Sequence, residues 1–156
     1  FAAQSGKQAA ETRTMTVAGC TPPPRASARI TRLRTGRPTV RFTVTAAPNA
    51  PELRQVRLRL PDALRTQPKR APRGVRATTG AGRLAQRASS LTRGALLLTL
   101  PPATRTITAT LSKGTVRVSR KIARAKKPKA QSLRITVIDA DGPRPSKTLK
   151  LRPRRR

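Results

Sequence analysis

The sequence has no histidine, tryptophan or tyrosine, and its only aromatic residues are Phe1 and Phe42. Without histidine the commonest general base is missing. Neither a Ser–His–Asp nor a Cys–His arrangement can be built from this chain. The lone cysteine, Cys20, excludes an internal disulfide, and nothing beside it could complete a zinc or iron–sulfur cluster. Cys20 is read as a free thiol or as one whose partner lies on another chain segment. No apolar run approaches the roughly 18 residues of a membrane-spanning helix.

Acidic residues are scarce: Glu11, Glu52, Asp62, Asp139 and Asp141. The only close pair lies in Asp139-Ala140-Asp141-Gly142. That run opens like a calcium loop, but the further acidic ligands and the closing glutamate are absent. Asp and Gly are also ordinary turn residues. No glycine loop of the phosphate-cradling kind is present, and no motif supports lysine-based or Ser–Lys chemistry. The expectation is a protein that is not an enzyme and takes no cofactor or metal.

What is abundant is positive charge. The chain of 156 residues carries 36 Lys+Arg against 5 Asp+Glu, a formal charge of +31. Such a field steers any anion toward the protein. Of these basic residues 27 are Arg and 9 are Lys, which suits bidentate contact with phosphate. A GC-rich coding sequence would supply the same excess of Arg, Ala and Pro. The charge gathers at Lys69, Arg70 and Arg73, at Lys121, Arg124, Lys126, Lys127 and Lys129, and at Arg154, Arg155 and Arg156. These are the candidate polyanion-binding residues. The competing account is a solvated face that keeps the protein soluble and guards its strand edges. Sequence-specific nucleic-acid recognition is not indicated. There is no zinc-finger spacing, no evident helix-turn-helix, and no aromatic platform for stacking bases.

Leu, Ile, Val and Phe make up only 30 of 156 residues, about 19%, which with this charge lies on the disordered side. Their placement argues otherwise. Within residues 28–151 they number 28 of 124, and they alternate with polar residues in short runs. Disordered chains have no reason to alternate. The chain therefore divides into a leader or linker at 1–27, an ordered domain at 28–152, and a basic tail at 153–156, with flexible basic ends. The leader ends in Pro22-Pro23-Pro24, which stiffens a linker. It carries a weak strand signal at 15–17. Val17-Ala18-Gly19-Cys20 has the look of a lipoprotein cleavage site but follows a polar segment where an apolar one is needed. Phe1 in place of Met suggests a mature or excised piece.

Period-two alternation marks half-buried strands. It is clean at 39–45, with Val40, Phe42 and Val44 on one face, and at 53–60, with Val56, Leu58 and Leu60. Further strands are expected at 28–34, 75–79, 94–100, 104–111, 115–119, 133–138 and 147–151. Residues 104–111 and 115–119 should form a hairpin about Ser112-Lys113-Gly114. Residues 67–74 read as a basic loop, 80–91 as a loop or short helix, 120–130 as a basic loop or helical turn, and 139–146 as a polar turn. Outward positions fall to Arg41, Arg57, Arg59, Arg117, Arg134, Lys150 and Arg152. About seven to nine short antiparallel strands punctuated by Pro and Gly point to an all-β sandwich or small barrel.

Two phrases carry a resemblance. The strand that ends in Leu60-Pro61-Asp62-Ala63-Leu64 resembles the strand and Leu-Pro-x-Gly-Leu turn of large secreted surface proteins from high-GC, actinobacterial-type bacteria. Ala63 departs from the usual Gly. Their immunoglobulin-like domains finish with a strand, an Asp-x-x-Gly turn and a last strand, here Leu133 to Leu151 with Asp139-Ala140-Asp141-Gly142 as the turn. The resemblance implies an immunoglobulin-like β-sandwich in an extracellular or cell-surface protein. It also implies a structural or adhesive module, with neighbouring domains in a longer chain and no catalytic residues to carry over. Combined with the charge, it makes anionic cell-wall polymers the expected partner. The alternative is a cytoplasmic nucleic-acid-associated protein of the ribosomal or nucleoid kind, binding phosphates non-specifically.

Overall fold

Alternation in the sequence becomes alternation of burial in the structure. The computed structural model describes residues 22–70, 74–112, 114–125 and 131–151. The weak strand signal at 15–17 and most of the leader lie outside these residues. Strand β2 (Thr39–Thr45) buries Val40, Phe42 and Val44 and exposes Arg41. Strand β3 (Leu53–Arg59) buries Leu53, Val56 and Leu58 and exposes Arg54, Arg57 and Arg59. Leu53 and Val56 both point inward despite their odd spacing. The register against β11 (Gln131–Asp139) shifts there, with Ile138 opposite Gln55 and Asp139 opposite Leu53. Arg54 is the extra residue of this bulge, which turns the strand so that the next side chain in faces the core.

The remaining strands are β1 (Arg25–Thr31), β4 (Leu64–Thr66), β5 (Val75–Thr79), β6 (Gly82–Arg83), β7 (Ser89–Thr92), β8 (Ala95–Thr99), β9 (Thr106–Leu111), β10 (Val116–Val118), β12 (Gly142–Pro143) and β13 (Lys147–Leu151). One sheet has the order β1-β2-β9-β5-β6 and the other β12-β11-β3-β8-β7, with β13 also on β11. Every pairing is antiparallel. The orders β1-β2-β9-β5 and β13-β11-β3 are the A-B-E-D and G-F-C orders of an immunoglobulin domain. Strands β6 to β8 are inserted between the fourth and fifth of these, and β8 extends the second sheet beside β3. The fold is an all-β immunoglobulin-like sandwich.

The core between the sheets is almost wholly aliphatic. Ile30, Leu58, Leu96, Leu98, Ile107, Leu111, Leu133 and Ile135 are all 1% exposed or less, and Phe42 is the one aromatic among them. At about 25 cal/mol for each Å² removed from water, these side chains supply the main force that holds the two sheets together.

Several expectations are corrected. The hairpin about residues 112–114 does not form. Strand β9 pairs with β2 on one side and β5 on the other, so it has no free edge for β10. Strand β10 instead leaves the sheet and pairs with β4 in a separate two-stranded ribbon. Residues 80–91 form a tight β5–β6 hairpin, a 3₁₀ turn at Gln86–Ala88 and β7. Strand β1 begins at Arg25, and Leu33 lies in the 3₁₀ turn Leu33–Thr35 rather than in a strand. The strand tally rises to thirteen because β4, β6, β7 and β12 span only two to four residues each.

Candidate polyanion-binding surface

The β4–β10 ribbon organises much of the positive charge. Leu64 and Val116 turn inward and are 1% and 0% exposed. Strand alternation then forces Arg65 and Arg117 outward, and the register sets them directly opposite each other. The ribbon is tied down on several sides. The Thr66 hydroxyl donates to the Thr92 carbonyl at 2.7 Å and accepts from the Gly94 amide at 2.9 Å. The Gln67 amide donates to the Thr115 carbonyl at 2.8 Å, and the Val118 amide to the Gly36 carbonyl at 3.1 Å.

Each end of the ribbon leads into one of the basic clusters seen in the sequence. Thr66 runs into the 3₁₀ turn Pro68–Arg70, where Lys69 and Arg70 are exposed. A β-carbon built on Gly114 would meet Arg70 Nη1 at 3.6 Å and Arg37 Cδ at 3.9 Å, so both side chains lie over that glycine. At the other end, Val118 leads through the Ser119 cap into helix α1 (Arg120–Arg124), which contains Lys121. Arg120 and Arg124 are exposed, and α1 lies against the Leu33–Thr35 turn with its exposed Arg34. Arg73, Lys126, Lys127, Lys129, Arg154, Arg155 and Arg156 lie outside the described residues, as does Arg152. Sequence reasoning missed Arg34, Arg37, Arg65 and Arg120 as members of this surface. The available signal was the apolar–Arg–polar or apolar–Arg–apolar triplets Leu64-Arg65-Thr66 and Val116-Arg117-Val118.

Outside the ribbon, Arg41, Arg57, Arg59, Arg134 and Lys150 are exposed on the sheet exteriors, where alternation placed them. Among the described residues the ion pairs are few. Arg54 meets Glu52 at 2.5 Å. Arg144 is forked between two carboxylates, bonding Asp139 through Nε and Asp141 through Nη2 at 3.1 Å. The hydrogen bond that Arg144 donates to Asp139, chiefly, holds its guanidinium above its ordinary pKa. The Asp139–Gly142 run is thus a turn closed by an arginine, with Asp141 N donating to Asp139 Oδ1 at 3.1 Å. The guanidinium takes the position a cation would need. No group of three or more His, Cys, Asp or Glu residues that could hold a metal exists among the described residues. Arg105 is also structural. It donates to the carbonyls of Ala47 at 2.7 Å and Ala50 at 3.0 Å, clamping the turn around Asn49.

No protein-family model matches the sequence, and no curated protein matches it. Solved structures align with this chain at low identity. The N-terminal domain of the Streptococcus gordonii adhesin Sgo0707 aligns with a TM-score of 0.49 at 13% identity, over 81% of this chain and 32% of that one. This chain therefore spans about a third of that structure. The collagen-binding domain of a Staphylococcus aureus adhesin aligns with a TM-score of 0.48 at 7% identity, over 81% of this chain and 96% of that one. ACE19, the collagen-binding subdomain of the Enterococcus faecalis surface protein ACE, aligns with a TM-score of 0.45 at 7% identity, over 86% of this chain and 99% of that one. Among the described residues, no helix is long and apolar enough to cross a membrane.

Proposed function

We propose that this chain is a non-catalytic extracellular module, structural and adhesive, whose basic surface contacts anionic cell-wall polymers. The observation that carries the proposal is the ribbon with Arg65 opposite Arg117, which joins the Lys69–Arg70 turn to the Arg120–Arg124 helix. Dispersed in sequence, these cations lie along one ribbon and at its two ends, with no carboxylate paired to them among the described residues. A surface of that kind binds a flexible polyanion at many weak points rather than one discrete ligand. The immunoglobulin-like order suits a unit strung between neighbouring domains. The Leu60 to Leu64 segment closes as a turn, its Leu64 amide donating to the Pro61 carbonyl at 2.8 Å.

The test is a titration of the purified chain against poly(glycerol phosphate) and against short duplex DNA across a range of salt. Binding to the wall-type polymer that persists at about 150 mM salt, with weaker binding to duplex, is the expected result. Tighter binding to duplex at that salt would favour the nucleic-acid role instead. Loss of both would reduce the charge to a generic field.

A further inference from the structure

The outer face of the second sheet places like charges where sheets avoid them. Arg59 on β3 stands directly opposite Arg134 on β11. Opposed residues in an antiparallel ladder have Cα atoms about 4.5 to 5.5 Å apart, and like charges there are destabilising. Arg57 lies on the same face, two residues back along β3, about 6.8 Å from Arg59 by strand rise. Strand β3 runs in the interior of the sheet, between β11 and β8, so these backbones cannot splay apart. The three arginines line one open groove of about 530 Å³ that contains no carboxylate. Its floor is apolar and low, because Ala95 and Leu97 on β8 stand opposite Arg59 and Arg57. Arginine stems can lie along such a floor with their heads raised. One wall carries the Thr136 and Ser146 hydroxyls, 2.8 Å apart.

We infer that this groove binds a polyol-phosphate chain, with Arg59 and Arg134 clasping one phosphate and Arg57 taking the next. The inference rests on the polyanion-binding role proposed above and gives it a defined site. Two planar guanidinium forks on directly opposed residues can turn to one tetrahedral oxyanion. A bound phosphate also removes the repulsion that the register builds in. Phosphates separated by a three-carbon polyol recur at a spacing comparable to that between Arg57 and Arg59. The apolar floor receives the carbon backbone, and the hydroxyl wall meets its free hydroxyls. No aromatic residue lines the groove, so it offers nothing on which a base could stack.

The test uses the whole chain, poly(glycerol phosphate) of defined length, and calorimetry at several salt concentrations. Arg59→Gln with Arg134→Gln should weaken binding about tenfold or more and lower the salt slope by about one phosphate contact. The same variant should melt at the same or a higher temperature, because a like-charge pair has gone. Arg59→Lys with Arg134→Lys keeps the charge but loses the fork, and should fall between wild type and the Gln variant. The control is Arg29→Gln with Arg41→Gln, which removes an equal charge, also an opposed and exposed pair, from the other sheet, outside both the groove and the ribbon. If the control weakens binding as much as the groove variant does, the groove is no site, and the adhesive role stands without it. If the wild-type chain fails to bind the polymer at physiological salt, the adhesive role falls and the groove with it. If single-stranded DNA or heparin competes equally in the groove variants and in wild type, the groove stands; if either depends on the groove as strongly as the polyol phosphate does, the assignment of ligand is overturned.

Discussion

Gly74 presses its bare Cα against Thr115. A β-carbon built there would lie 1.8 Å from the Thr115 hydroxyl oxygen and 2.5 Å from the Ser112 carbonyl oxygen. The Gly74 carbonyl meanwhile accepts from the Ser112 amide at 2.8 Å, so the two segments are locked at contact. Gly74→Ala should therefore destabilise the domain by about 3 kcal/mol, the upper end of overpacking costs. Gly80 has open space around it, and Gly80→Ala should be close to neutral. Urea unfolding of the two variants side by side checks the contrast.

Arg144 is the only guanidinium shared by two carboxylates among the described residues. Asp139 is 6% exposed and would keep only the Asp141 amide as a partner if Arg144 were lost. Arg144→Ala should lower the melting temperature by several degrees, and Arg144→Lys should fall between it and wild type because lysine cannot fork. The raised pKa of Arg144 fixes the sign of its own pH effect. Its contribution is complete below the ordinary arginine value and fades only as pH climbs beyond that value, so at neutral pH the titration of this group adds no slope. Thermal melts across neutral pH, compared between wild type and Arg144→Lys, measure this.

Phe42 is 1% exposed and is the one aromatic side chain in an aliphatic core. Phe42→Ala should cost about 3 to 5 kcal/mol, since removing its ring leaves a cavity that neighbouring leucines can fill only in part. Phe42→Leu should cost much less. Denaturant midpoints, with unchanged slopes, would show that the loss is one of packing alone.

Arg117→Glu turns the like-charge pair with Arg65 into an opposite-charge pair. Stability should rise by about 0.2 to 1 kcal/mol, while affinity for a polyanion should fall. A variant in which both fell together would show that the ribbon is held by something other than its strand pairing. Calorimetry of unfolding and of binding on one preparation reads both quantities.

Much of the sandwich was legible because the sheet face repeats every second residue. Strands β2, β5 and β13 lie where alternation put them, and Val40, Phe42 and Val44 are buried as their spacing required. Strands β4, β6, β7 and β12 are too short for a period of two to stand out from chance. The false hairpin had a different cause. A turn signal is local, whereas the partner of a strand is decided by which edges are free, and β9 was already flanked by β2 and β5. The candidate surface failed to appear for the same reason. Lys69 and Arg70 stood out as a basic run, but only the pairing of β4 with β10 joins them to Arg120 and Arg124. The groove of Arg59 and Arg134 depends on register between strands more than seventy residues apart, and composition carries no trace of that.

The insertion of β6 to β8 sets the order in which the chain can fold. Strand β2 pairs early with β1, but its second neighbour, β9, is distant, with Thr43 and Thr108 separated by 65 positions. Strand β3 waits for both of its neighbours, β8 and β11. Neither sheet can close until the last third of the chain is present, and such long-range pairing makes folding slow. Through that interval the open edges of β2 and β3 carry Arg41, Arg57 and Arg59. Mutual repulsion between copies then keeps half-built sheets from adding to one another. The positive charge on the exterior of the finished domain also protects the unfinished one from itself.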